Sequence, residues 1–343
     1  MHARDTETDP MTSASTDRFT AYDFLAARAR IAGYIVGTPL MPFDVGDPRI
    51  ELRLKLENRQ VTGAFKARGA TNNIARLTEA ERAAGVVATS SGNHGKALAW
   101  AAMEAGVKAT IVMPANAYPN KIAACRELGA TVVLSTDRMQ AEVDAAALVA
   151  QGLVPIHPYD ADGTIEGAGT VGLDIADDWP EVEVVVIPVG GGGLAAGTSL
   201  ALRRTLGDQV RCLGAEPGGA PSMSLGIEAG APVVLDAINT EIQGLCPPES
   251  GARNIAVCRE TLEGVARLSD TAILDAQRVL VQAGEVVEPA GAAAVAAIRE
   301  GHLEAWLVGR DEDHPLRVVA VISGGNPAPD QLEQVRASIA AEA

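Results

Sequence analysis

At 343 residues the chain is long for a single core, which favours two domains. Its 28 basic side chains against 44 acidic ones leave a net charge of −16 and a pI near 4.8, which argues against nucleic-acid or anionic-membrane partners. Apolar residues make up 47% of the chain, yet the longest apolar runs, such as 184–189, are strand-length and far short of the roughly 20 residues a membrane helix needs.

Residues 1–20 are polar, acidic and without an apolar core, so they read as a disordered tail with no signal peptide, and Met11 as an alternative start. From Glu51 onward, short β-branched runs alternate with alanine-rich stretches. Taken in order, the pattern predicts a strand at 52–56, a helix at 67–77, a strand at 86–89, a helix at 95–105 and a strand at 109–113. A helix at 120–128 follows, closed by Gly129, then a strand at 131–134 and a helix at 138–150 capped by Ser135 to Asp137. The remaining units are a helix at 164–177, the most apolar strand at 182–189, a helix at 194–206, a strand at 211–215, a strand at 317–322 and a last helix around Gln331.

Such alternation implies parallel sheets covered on both faces. Residues 85–158 read as a compact smaller domain inserted into a larger one built from 21–84 and 159–343. The four cysteines (Cys125, Cys212, Cys246, Cys258) lack CxxC spacing, which fits reduced thiols in a cytoplasm. No internal repeat is visible.

Four segments carry chemistry. Lys66, in Thr62-Gly63-Ala64-Phe65-Lys66, is one of only five lysines, beside Lys55, Lys96, Lys108 and Lys121, so few amines are available to an aldehyde cofactor. Ser90-Ser91-Gly92-Asn93-His94-Gly95 joins a strand to a helix start, a turn that presents N–H groups and hydroxyls to an anion. Gly190-Gly191-Gly192-Gly193 follows the apolar strand and opens a helix; four glycines in a row cost chain entropy, and close approach of a phosphate explains them. Ser323-Gly324-Gly325-Asn326 puts a hydroxyl at the carboxyl end of the last strand. A dinucleotide fingerprint competes for the second glycine run, since Gly191-x-Gly193-x-x-Ala196 has Glu216 about 20 residues on, but it leaves Lys66 and the serine turn unexplained.

In this order the four motifs resemble the threonine dehydratase and serine racemase family of fold-type-II pyridoxal-phosphate enzymes, from about Phe24 to the end. The resemblance implies an α/β fold of two three-layer parallel-sheet domains with the cofactor, pyridoxal 5'-phosphate, in the cleft between them. It implies Lys66 as the Schiff-base lysine and proton acceptor, Phe65 beside the pyridine ring, Asn93 at the cofactor's 3-hydroxyl, Gly190, Gly191, Gly192 and Gly193 around its phosphate, and Ser323 at the ring nitrogen. Ser90, Ser91 and His94 would surround the substrate carboxylate.

The implied reaction is dehydration of a small β-hydroxy amino acid, threonine or serine, to a 2-oxo acid and ammonia. Ser91 marks a branch: many threonine dehydratases carry alanine there, whereas serine racemases and hydroxyaspartate dehydratases carry serine, which could reprotonate the α-carbon from the face opposite Lys66. Serine racemase, hydroxyaspartate dehydratase and a catabolic dehydratase for another hydroxy amino acid are therefore the alternatives within the family. A nicotinamide-dependent oxidoreductase and a catalytically idle cofactor binder lie outside it.

A divalent or monovalent cation is a further implied ligand, because Glu216 and Ala220 match two positions of a racemase-type metal site. Ser222 stands where that site has Asp, which weakens it for hard cations. Ala168 and Lys96 each replace a common glutamine, and 240–245 is atypical. Glu288-Pro289-Ala290-Gly291 matches a pattern near the cofactor, with helix capping as the competing explanation, whereas His157, His302 and His314 stand alone. No regulatory domain is expected after the last helix, and the chain is expected to be a cytoplasmic homodimer or homotetramer with a small-molecule substrate, no nucleic acid and no membrane partner.

Overall fold

A computed structural model of the chain describes residues 19–342, so the expected tail, apart from Phe19 and Thr20, lies outside the described residues. Among the described residues, ten strands form two sheets. The six-stranded sheet contains β1 (Leu40–Phe43), β2 (Ile50–Lys55), β7 (Val184–Pro188), β8 (Arg211–Pro217), β9 (Gly264–Leu268) and β10 (Leu316–Val321), in the order β1-β2-β10-β7-β8-β9. The four-stranded sheet runs β5-β4-β3-β6, from β3 (Val86–Thr89), β4 (Ala109–Pro114), β5 (Thr131–Ser135) and β6 (Val154–Pro155). All pairings are parallel except β1 with β2, an antiparallel edge that the alternation of strands and helices did not signal.

The helices are α1 (Phe24–Ile31), α2 (Lys66–Arg76), α3 (Glu79–Ala84), α4 (Asn93–Glu104), α5 (Pro119–Glu127), α6 (Arg138–Ala150), α7 (Asp162–Asp178) and α8 (Gly193–Leu206). After them come α9 (Ser222–Ala229), α10 (Ala252–Thr261), α11 (Asp270–Gln282), α12 (Pro289–Arg299) and α13 (Pro329–Glu342). None is long and apolar enough to cross a membrane.

Two-residue alternation explains why the large sheet is covered on both faces. Val184, Val186, Val318 and Ala320 pack with α11 and α12, through Ile273, Leu280, Val295 and Ile298. Their neighbours Val185, Ile187, Val319 and Val321 point the other way, onto Ile165, Ile175, Leu200 and Ile255 of α7, α8 and α10. The registers Val318↔Val184 and Val318↔Leu52 keep those side chains level across the sheet. The smaller sheet repeats the scheme, with Val86, Ala88 and Ile111 against Leu98 of α4 and Ala70 and Ile74 of α2, and Val87 and Val112 against Ala141 and Ala145 of α6.

The strands foreseen at 86–89, 109–113 and 131–134 and the helix at 138–150 are found within a residue or so of those bounds. Asp137 accepts from the N–H of Gln140 as the cap of α6, and Gly129 takes φ 79° beyond α5. Strands β1, β6 and β9 and helices α1, α3 and α9 to α12 have no counterpart among the predicted elements.

Behind the start of α2 lies a buried polar network. Arg68, with 0% relative exposure, donates to both carboxylate oxygens of Glu57 at 2.8 Å, to Asp174 at 2.7 Å and to Thr170 at 3.0 Å. Lys55, also buried, donates to Thr38 O at 2.9 Å and Asp178 at 3.0 Å. The network locks α2, the end of β2 and α7 together two residues from Lys66.

Candidate active site

The carboxyl ends of β2, β3, β7 and β10 feed the four motif segments into one cavity of about 1210 Å3 between the sheets. Phe65, Lys66, Ser90, Ser91, Asn93, His94, Gly190 to Gly193 and Ser323 all line it. Glu216, Ala220, His302 and His314 do not. Crevices outside the carboxyl ends of parallel strands are where open α/β sheets take ligands.

Lys66 begins α2, and backbone bonds hold that segment against the last strand's exit. Phe65 N–H donates to Ser323 O at 3.1 Å, Gly325 N–H donates to Gly63 O at 2.7 Å, and Ala64 bridges Gly324. The Lys66 amine donates to Pro158 O at 2.6 Å and stands 4.9 Å from the centre of the Phe65 ring. Among the described residues no carboxylate pairs with it, and burial pushes its pKa down to about 8. Desolvation of an amine without a counter-charge makes the neutral, nucleophilic form accessible near neutrality.

The Ser90–His94 turn enters α4. Ser90 Oγ accepts from Gly92 N–H at 3.3 Å and Gly95 N–H at 3.1 Å, so it shapes the turn while its own proton stays free to donate. Ser91 is exposed on the cavity wall. His94 is buried and donates through Nε2 to Ile156 O at 2.9 Å; burial first, then the charge of Lys66, press its pKa down to about 3. It is therefore a neutral imidazole and brings no positive charge to an anion.

The glycine loop turns through Gly192 at φ 94° into α8, whose first N–H groups have no partner within the helix. A Cβ on Gly191 would lie 2.2 Å from the Tyr159 ring, and one on Gly193 2.8 Å from Tyr159 O. Any side chain there would close the approach to the backbone.

Two residues that no motif announced hold this loop. Asn254 donates to Gly191 O at 2.7 Å and Tyr159 O at 3.1 Å, and the Tyr159 hydroxyl donates to Glu249 O at 3.3 Å. His157 closes the turn at 157–160 that carries Tyr159, its Nδ1 accepting from Asp160 N–H at 2.8 Å. Asn93 donates to Glu288 at 2.5 Å and accepts from Asn326 at 2.8 Å. The Glu288-Pro289 segment thus reaches the cavity, and Glu288 is also the residue preceding α12.

Glu216 stands apart. Its carboxylate accepts from Met223 N–H at 3.0 Å, Ser224 N–H at 3.1 Å and the Ser224 hydroxyl. Ala220 O accepts from Ser222 N–H at 2.9 Å, and Ser222 Oγ pairs with Ser250 Oγ at 2.9 Å. With one carboxylate already engaged by three donors, this set does not fit a divalent cation, and it offers nothing to a ribose. Among the described residues no three His, Cys, Asp or Glu side chains converge as a metal site.

The family described as pyridoxal-phosphate dependent enzyme matches residues 31–324. The L-threonine ammonia-lyase of Thermotoga maritima is 37% identical over 288 residues, 83% of this chain and 69% of that protein. The phenylserine dehydratase of Ralstonia pickettii is 35% identical over 306 residues, 87% of this chain and 90% of that one. The solved structure of maize serine racemase matches with a TM-score of 0.84 at 32% identity, covering 93% of this chain and 97% of that one.

The residues at hand fit pyridoxal phosphate. A desolvated lysine amine, a side-chain-free loop at a helix N-terminus and a buried serine (Ser323, 5% exposed) face one cavity. Those are the donor types that an aldehyde, a phosphate and a pyridine nitrogen require.

Proposed function

The chain belongs to the pyridoxal-phosphate dependent enzymes, and from that premise we propose that it is an ammonia-lyase that dehydrates a small β-hydroxy amino acid of the L-threonine or L-serine type. The observation that carries this reading is the desolvated Lys66 amine, which has no carboxylate partner among the described residues and opens into the same cavity as the glycine loop and the serine turn.

In this proposal Gly190 to Gly193 and the first N–H groups of α8 would hold the cofactor phosphate, and Phe65 would lie beside the ring. Asn93 would meet the 3-hydroxyl, and Ser323 would offer the ring nitrogen a neutral hydroxyl. When bound, the cofactor supplies covalent capture of the amino group and an electron sink at the α-carbon. The N–H groups entering α4, with the hydroxyls of Ser90 and Ser91, orient the substrate carboxylate, while neutral His94 supports the turn from behind. Lys66 Nζ takes the α-proton. Water leaves from the β-carbon and is regained on hydrolysis, so the net products are a 2-oxo acid and ammonia.

Ser323 favours elimination. A neutral hydroxyl at Ser323 would not hold a proton on the cofactor's ring nitrogen as a carboxylate would, and the weaker electron sink would favour loss of a β-substituent over other outcomes. A second reading, serine racemase, is favoured by Ser91, whose hydroxyl stands exposed on the cavity wall and would return a proton from the other face.

Further parts of the proposal are a small substrate-binding domain at 85–158 set into a large cofactor-binding domain of 21–84 and 159–343, and a cytoplasmic setting, supported by four free cysteines. A homodimer or homotetramer is supported by the exposed Tyr34, Val36, Met41 and Val61 near Arg59 and Gln60.

The test is incubation with L-threonine, L-serine and L-threo-3-hydroxyaspartate, with 2-oxo acid and D-amino acid measured separately. Dehydratase activity requires 2-oxo acid from at least one of them, and no product from any would overturn the proposal. If Ser91→Ala removes D-serine and spares 2-oxo acid, Ser91 is the second-face acid; equal loss of both refutes that role.

A further inference from the structure

An amide's oxygen and nitrogen are alike in shape, so only its partners decide which way an asparagine points. Around Asn93 the partners form a chain with a fixed direction. Lys96 Nζ on α4 donates to Asn326 Oδ1 at 2.9 Å. Asn326 Nδ2 donates to Asn93 Oδ1 at 2.8 Å and to Thr62 O at 3.0 Å, and Asn93 Nδ2 donates to Glu288 Oε1 at 2.5 Å. An ammonium can only donate, and a backbone carbonyl can only accept. Lys96 and Thr62 O therefore orient the Asn326 amide, whose Nδ2 makes Asn93 Oδ1 the acceptor and turns Asn93 Nδ2 towards Glu288, with one Nδ2 hydrogen still available on the cavity wall.

Two glycines of the cavity motifs make room for this chain. A Cβ on Gly63 would lie 2.7 Å from Asn326 Oδ1, and one on Gly324 would lie 2.1 Å from Glu288 Oε1 and 3.1 Å from Asn93 Nδ2. Lys121 on α5 adds a further clamp, donating to Asn326 O at 2.7 Å. Lys96 and Asn93 belong to α4, whereas Asn326 follows β10 and Glu288 precedes α12, so the chain spans both sheets.

We infer that Lys96, Asn326 and Glu288 are positioning residues that fix the polarity of the Asn93 amide so that it offers the cofactor's 3-hydroxyl oxygen a donor and never an acceptor. The inference rests on the proposed place of Asn93 at that oxygen. A donor stabilises the ionised oxygen, and the ionised form of the lysine-bound cofactor absorbs in the visible, whereas the neutral form absorbs in the near ultraviolet.

The experiment compares absorption spectra, cofactor dissociation constants and melting temperatures of the wild-type holoenzyme with those of Lys96→Met, Lys96→Arg, Glu288→Gln and Asn93→Ala. Lys96→Met and Glu288→Gln are each expected to lower the visible to near-ultraviolet ratio about threefold to tenfold, the weight of one hydrogen bond. Lys96→Arg keeps the donor and keeps the ratio. If both polarity variants retain the wild-type ratio while Asn93→Ala lowers it, the inference is wrong and the place of Asn93 stands. An unchanged ratio in Asn93→Ala overturns both. Should Glu288→Gln fail to fold, Lys96→Met against Lys96→Arg decides the matter.

Discussion

Replacing Lys66 with methionine should stabilise the cofactor-free protein at neutral pH. The amine's pKa falls from 10.5 in the unfolded chain to about 8 in the folded one because it is desolvated without a partner charge. At about 1.4 kcal/mol per pH unit, holding it charged in the fold costs roughly 3 kcal/mol below both values. Methionine removes that cost but also removes the bond to Pro158 O, worth about 1 kcal/mol, so the net gain is about 2 kcal/mol.

The pH dependence has a definite sign. Because the folded-state pKa is the lower one, the wild type gains stability between pH 8 and 10.5, where the unfolded chain still holds a proton the folded chain has lost. The advantage of Lys66→Met must therefore be full at pH 7 and shrink as pH rises towards 10. Urea unfolding of both apoproteins at the two pH values measures it. A variant no more stable than wild type at pH 7, or a gain unaltered at pH 10, would refute the claim that Lys66 is held desolvated without a counter-charge.

Three further outcomes are expected. Gly191→Ala drives a methyl into the Tyr159 ring, 2.2 Å away, and the overpacking should weaken cofactor binding by about 2 kcal/mol, some thirtyfold in Kd by fluorescence titration. Glu57→Gln removes the charge that two Arg68 bonds require in a fully buried site, and should destabilise the fold by about 3 kcal/mol in urea unfolding. Exhaustive chelation should leave activity within about twofold, because Glu216 is engaged by Met223 and Ser224 and too few hard oxygens remain for a cation. Loss of activity restored by Mg2+ would contradict that.

The strand-turn-helix units were legible because their signals are local. Val184 to Val189 runs straight into four glycines, and Ser90 to Gly95 follows a four-residue strand, so each motif announced its own place at a strand's end. What stayed hidden depends on contacts distant in sequence. β6 has only two residues and β1 contains a proline, so neither shows a strand's period. In α12 the alanines on every face erase the helical stripe that would distinguish it from a buried strand. The bond from Asn93 to Glu288 spans 195 residues and that from Asn254 to Gly191 spans 63, and no spacing rule joins such pairs. Gly63 and Gly324 were legible as motif members, but their reason, room for Asn326 and Glu288, appears only once the segments are folded together.

The account stands or falls on which amine the cofactor joins. Borohydride reduction of the holoprotein followed by proteolysis and mass spectrometry should find the reduced pyridoxyl adduct on the peptide bearing Lys66 and on none bearing Lys55, Lys96, Lys108 or Lys121. An adduct on one of those four, or a protein that carries none, would contradict it.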